Sequence, residues 1–259
     1  MKFFSNNGIG NIPGLMGWEH FLYIFLCLIL VLGLLLLTCK CSFKKITKMM
    51  RIIFWVVLIL EILKIIWNLI IRIGTTLSDW IPLYYCSLFI YGLGFASYGK
   101  GKLKRLGESW IFYGQIIAGI AFVCYPSTAL LVHPFLHVLT FHSLIYHSLA
   151  IFVGLLMAVT GYFQPQKQDF KDYTISLLAV CLCIYILNIF LGTNLMFLNE
   201  PLPVWPLINI FNFSYILYPI IIALAQVCGA FGISYGLYIL IRKVKNKKNK
   251  RKNETFFLD

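Results

Sequence analysis

Long apolar runs separated by short polar connections dominate this chain. They recur about seven times, at roughly 19–39, 52–72, 80–98, 108–125, 135–161, 173–193 and 211–241, each near the ~20 residues that a helix needs to cross a bilayer. None alternates by twos, as the strands of a membrane barrel do. The pattern predicts an all-α membrane protein, a polytopic bundle of about seven transmembrane helices. The first run has only Lys2 as a basic residue before it and no small-residue cleavage site after it, so it reads as a retained helix rather than a signal peptide. No composition shift precedes the basic end of the chain, which predicts one transmembrane domain over 1–241 and a basic cytoplasmic tail over 242–259.

Composition agrees. A chain of 259 residues that is 60% hydrophobic and 12% charged, with a mean hydropathy of +0.85, carries more apolar surface than a soluble domain could bury. The polar positions then set orientation, because Lys and Arg concentrate in short cytoplasmic loops. Lys40, Lys44, Lys45, Lys48 and Arg51 follow the first run; Lys100, Lys102, Lys104 and Arg105 follow the third; Lys167 and Lys171 follow the fifth; Arg242 to Lys252 follow the last. The opposite loops hold Lys2 and Arg72. An outside N-terminus and a cytoplasmic C-terminus are expected, in a cytoplasmic membrane. The net charge of +13 is thus mostly a topology signal and not a nucleic-acid footprint, although the tail can attract anionic lipid headgroups.

Ionisable residues within apolar runs are costly and need partners. Glu61 and Lys64 stand three apart on one face of the second run, with Asn68 and Arg72 continuing the stripe. Two readings stay open: a self-neutralising pair that orients the helix, or a substrate or proton role. The sixth run carries Cys181, Tyr185, Asn188 and Gly192 at helical spacing, which suits close helix contact. Gln115 and Gln226 add polar groups in the fourth and seventh runs.

The eight cysteines are scattered, without metal or disulfide-framework spacing. Cys86 lies six or seven residues inside a third helix opened by Ser78-Asp79-Trp80-Ile81-Pro82, about 10 Å deep at 1.5 Å per residue. Four histidines approach from the same side. His133 and His137 have a chelating spacing but no obvious third ligand. His142 and His147 point about 140° apart on one helix. The stripe through His147 runs Thr140, Ser143, Ala150, Gly154 and Ala158, small or polar throughout, whereas that through His142 is bulky. Small residues face helices and bulky ones face acyl chains, so His147 is expected to be buried and His142 lipid-facing. This divergence also disfavours haem. A neutral imidazole beside a thiol is what a cysteine nucleophile needs. The alternative is an ordinary core cysteine and a hydrogen-bonded core histidine, and helical arithmetic sets His147 some 8 to 10 Å deeper than Cys86.

Three segments carry a resemblance. DWIPLYYCSL at 79–88, YHS at 146–148 and TNLMFLNEPLP at 193–203 are similar, in order and spacing, to motifs of the YwaF-like bacterial integral membrane proteins, related to vertebrate transmembrane protein 164. The resemblance covers most of the chain. It implies a helical bundle, a cysteine-dependent phospholipid acyltransferase or acyl-ester hydrolase acting on phospholipids and lyso-lipids, a nucleophile at Cys86 and a histidine at His147, with no cofactor and no metal. Tyr84 departs from the family pattern, which has a histidine there; a phenol donates a hydrogen bond but is a poor base at neutral pH. Glu61 and Lys64 would polarise the cavity, and Asn188 or Asn194 would bind a headgroup. The rival reading is a non-catalytic carrier that binds a solute or lipid through Glu61, Lys64 and Asn188.

Overall fold

The computed structural model describes residues 14–71 and 76–256, all of whose regular elements are helical. Lys2 and Arg72 lie outside the described residues. Among the described residues, six helices are long and apolar enough to cross a membrane, covering Trp18–Thr38, Phe43–Ile70, Gly101–Cys124, Val138–Thr160, Lys167–Leu191 and Tyr218–Val244. In finer detail, α1 is Trp18–Thr38 and α2 Phe43–Ile71. α3 is the single turn Leu77–Trp80 and α4 is Leu88–Tyr98. The fourth run is α5, Gly101–Ser109, a π-helical segment Trp110–Gln115, and α6, Ile116–Cys124. α7 is Val138–Thr160 and α8 Lys167–Leu191. After the short helix α9, Trp205–Phe213, the last run is α10, Tyr218–Leu224, a second π segment Ala225–Gly229, and α11, Ala230–Phe256. α11 continues through the expected boundary at 241/242 without a break.

The third apolar run departs from expectation. The apolar run over 80–98 by itself reads as one continuous helix, since a proline can be accommodated in a first turn. Instead α3 stops at Trp80, Ile81 is extended, and helix resumes only at Leu88. Proline disfavours the α conformation of the residue before it, and here that preference prevails. Asp79 is the third residue of α3 rather than its cap: its carboxylate accepts from the Thr76 amide at 2.8 Å. The third apolar run is therefore a broken one, ending in a helix of eleven residues.

Burial ranks the helices. In α7 78% of the apolar stretch is buried, and in α5 through α6 72%, against 17 to 22% in the other four long helices. α7 is thus the central post, packed by α1, α2, α6 and α11. Glycines allow the close approach: a Cβ on Gly119 would lie 2.5 Å from Ile151 Cγ1 and 3.0 Å from the His147 carbonyl, and one on Gly154 would collide with Ile116. The small stripe of α7 does face another helix, as expected.

α4 and α5 form the tightest pair. A Cβ on Gly107 would sit 2.5 Å from the Ala96 amide nitrogen and 2.6 Å from the Gly92 carbonyl. Both are backbone atoms of α4, which cannot swing aside as a side chain can. Gly107→Ala should therefore destabilise the protein by about 3 kcal/mol, the upper end for overpacking, read as a lowered melting temperature in detergent.

At one end of the bundle, Arg105 donates Nε to Asp169 Oδ1 and Nη2 to Oδ2, each at 2.7 Å. Nearby, Thr47 and Tyr162 hydroxyls meet at 2.9 Å, and Lys104 pairs with Glu108 at 3.6 Å. The basic residues at the starts of α2, α5 and α8 accordingly share one end.

Candidate active site

A cavity of about 680 Å³ lies between α2, the 81–87 break, α6, α7 and the last run, reaching the 125–133 and 198–204 connections away from the basic end. That volume suits a small molecule or lipid segment. Cys86, His147, Glu61, Lys64 and Tyr84 all line it. Phe122, Leu139, Phe197, Leu207 and Ile222 make much of its wall apolar.

Cys86 stands two residues before α4, not inside a helix. The Phe89 amide donates to its carbonyl at 3.1 Å, and the amides of Cys86 and Ser87 lie against its sulfur. The break itself is held by distant groups. Gln115 donates to the Tyr85 carbonyl at 3.1 Å, Tyr146 hydroxyl to the Cys86 carbonyl at 3.3 Å, and Tyr85 hydroxyl to the Gln226 carbonyl at 2.9 Å. Gln115 and Gln226 both belong to the π segments, a local helix form that recurs at functional sites.

These bonds bear on depth. Ile81 is extended; the Leu83 amide donates back to the Ile81 carbonyl and the Ser87 amide to the Tyr84 carbonyl, each at 2.8 Å, so tight turns rather than a helix lead to Cys86. Cys86 is bonded by Tyr146, the chain neighbour of His147. Tyr85 is bonded by Gln115, one turn from the glycine that packs on His147.

His147 is 4% exposed. Its Nδ1 lies 2.7 Å from the Ser143 carbonyl and 3.2 Å from the Ser143 hydroxyl. A carbonyl only accepts, so Nδ1 carries the proton and Nε2 keeps the lone pair. Nε2 has no hydrogen-bond partner among the described residues. The ring stacks on Phe122 with centroids 3.7 Å apart and planes 4° from parallel, which fixes its orientation.

His142 requires a correction. It does not face acyl chains alone: it lines the cavity, with Nε2 3.5 Å from Glu61 Oε2, while Lys64 pairs with Glu61 Oε1. The rule that bulky stripes face lipid assumes one lipid-exposed side, and α7 is surrounded. His133 and His137 stack at 4.3 Å in the connection before α7. Burial first, and then the neighbouring His137, push His133 down to about 4, so it is neutral at physiological pH. Among the described residues, no three His, Cys, Asp or Glu side chains gather to hold a metal.

Asn188 and Asn194 are not among the cavity-lining residues. Asn188 donates to the Leu195 carbonyl at 2.9 Å and accepts from the Leu195 amide and the Thr193 hydroxyl, each at 2.8 Å. Asn194 accepts from the amides of Asn199 and Glu200 at 3.1 Å. Together they brace a turn in which Met196 and Phe197 have positive φ, 57° and 53°, a strained conformation that needs surrounding support. Both strained residues line the cavity, and Phe197 packs on Tyr84 with centroids 5.5 Å apart. Tyr85 and Tyr146 lie in the quoted segments without a role being read for them, and no local signal marks Phe122; each acts through a contact with a distant segment.

The fold and cavity define a polytopic α-helical membrane protein with a mostly apolar chamber, bearing a few polar groups, inside its bundle. Residues 15–235 match the TMEM164 family, and the chain belongs to that family. It matches no curated protein and no solved structure.

Proposed function

We propose that this protein moves or hydrolyses fatty acyl chains of membrane phospholipids, with Cys86 as nucleophile and His147 as base. The observation that carries the reading is the unpartnered Nε2 of His147 in the cavity that also holds Cys86, at the start of α4. Nε2 takes the proton from the Cys86 thiol. The start of α4 and the adjoining amides offset part of the cost of a buried thiolate. It attacks the ester carbonyl; the carbon–oxygen bond breaks, the lyso-lipid alkoxide leaves with the proton from His147, and an acyl-Cys86 thioester remains. In the second half, a lyso-lipid hydroxyl or water gives its proton to His147 and attacks the thioester, returning the thiol. The basic end is assigned to the cytoplasm, and the tail to contact with anionic headgroups of a bacterial cytoplasmic membrane.

Incubation with a phospholipid carrying a labelled acyl chain should leave that label on the peptide containing Cys86, in a hydroxylamine-sensitive linkage. A label confined to other cysteines, or none, rejects the reading.

A further inference from the structure

The cluster of Glu61, Lys64 and His142 has a built order. Glu61 lies at the back, its side chain 4% exposed; His142 and Lys64 stand in front, at 12% and 20%. One carboxylate oxygen faces the lysine and the other the imidazole, so Glu61 holds two nitrogen-bearing groups side by side. Lys64 has three N–H donors and Glu61 occupies one.

A second, smaller cavity of about 160 Å³ abuts the first at these same residues. It is a groove between α2 and α7, walled by Leu60, Leu63, Trp67, Phe141 and Ile145, and it shares Lys64, Leu139 and His142 with the main cavity. Leu63 is 55% exposed on the apolar outer surface. An apolar groove thus leads from the lipid-facing side of the bundle to the lysine and histidine, with Cys86 lining the chamber beyond.

We propose that Lys64 and His142 form a subsite for the phosphate of a glycerophospholipid, entered sideways through the α2–α7 groove. The occupant follows from charge and surface together. A phosphodiester oxygen offers an acceptor to the Lys64 N–H donors that Glu61 leaves over and to the His142 imidazole beside them, and its negative charge suits the lysine. The apolar groove walls suit the acyl chains. The ligand class rests on the acyl-lipid reading above; the subsite itself does not depend on the thiol chemistry.

The test uses the full-length protein in detergent and a short-chain dialkyl-ether phosphatidylcholine, which has no ester to cleave, against the matching dialkylglycerol. Charge-assisted hydrogen bonds of about 1.5–3 kcal/mol predict a preference of about 10- to 100-fold for the phosphate-bearing ligand by titration calorimetry. His142→Gln, and separately the neutral pair Glu61→Gln with Lys64→Gln, should erase that preference while dialkylglycerol binding persists. No preference in the unsubstituted protein, or a preference that survives in both variants, overturns the subsite. Inorganic phosphate binding as tightly as the ether lipid overturns its assignment to a lipid. Leu63→Trp, at an exposed position, should slow ligand uptake from vesicles of the ether phosphatidylcholine by more than its change of affinity in detergent accounts for; an unchanged rate overturns the lateral route. Because no ester is present, loss of acyl-Cys86 labelling with the preference intact rejects the enzyme reading alone. Labelling without the preference rejects the subsite alone.

Discussion

Replacing Cys86 with alanine should reduce acyl transfer and ester hydrolysis to background, since no other group in the proposed cycle can carry the acyl chain. His147→Gln should lower kcat by about 10²- to 10⁴-fold, the usual contribution of a positioned base. The amide can fill the space against Phe122 but cannot take the proton. Ser143→Ala should cost far less, because the shorter bond to His147 comes from the Ser143 backbone carbonyl, which alanine keeps. The measurement is release and transfer of a labelled acyl chain from phospholipid by each purified variant, with melting temperatures to show that each is folded. Full activity of Cys86→Ala would remove the covalent mechanism. A Ser143→Ala loss equal to that of His147→Gln would move the orienting role to the hydroxyl.

Asp169→Ala should be among the most destabilising single changes. Asp169 is 2% exposed, receives two of the three Arg105 hydrogen bonds (the third goes to the Gln164 carbonyl), and accepts from the Gln166 amide at 2.6 Å at the start of α8. Its loss leaves a guanidinium against the Phe163 ring, 4.6 Å from its centroid, without its counter-ion. Breaking such a pair costs about 3–5 kcal/mol when fully buried. Arg105 is 32% exposed, so the low end applies. About 3 kcal/mol corresponds to roughly 6–12 °C in a chain of this size. A detergent melting curve displaced by only a degree or two would show that solvent screens the pair.

Much of the site was legible residue by residue. Cys86, Glu61, Lys64 and His147 stand out because polar groups are rare in apolar runs and expensive there, and all four line the cavity. His142 was misplaced, since helical arithmetic gives a direction and not what lies in that direction. Asn188 and Asn194 stood out for the same reason as the others, but their bonds go to the turn that holds Met196 and Phe197. Asp169 escaped notice. Its partner Arg105, 64 positions away, reads locally as one more basic loop residue.

By itself, the amino-acid sequence determined the helical class, the apolar runs, and the small-residue face that buries His147. Each of these is a local property: a backbone in lipid must satisfy its own hydrogen bonds, so length, hydropathy and the 3.6-residue period suffice. Only the tertiary structure decided that the third run breaks at Pro82 and sets Cys86 at the start of a half-length helix. A proline near a helix start is compatible with either outcome. The broken one is held here by Gln115, Tyr146 and the Gln226 carbonyl, contacts spanning 30, 60 and 141 positions. The same holds for His142 and Glu61: their pairing exists only because α2 packs on α7.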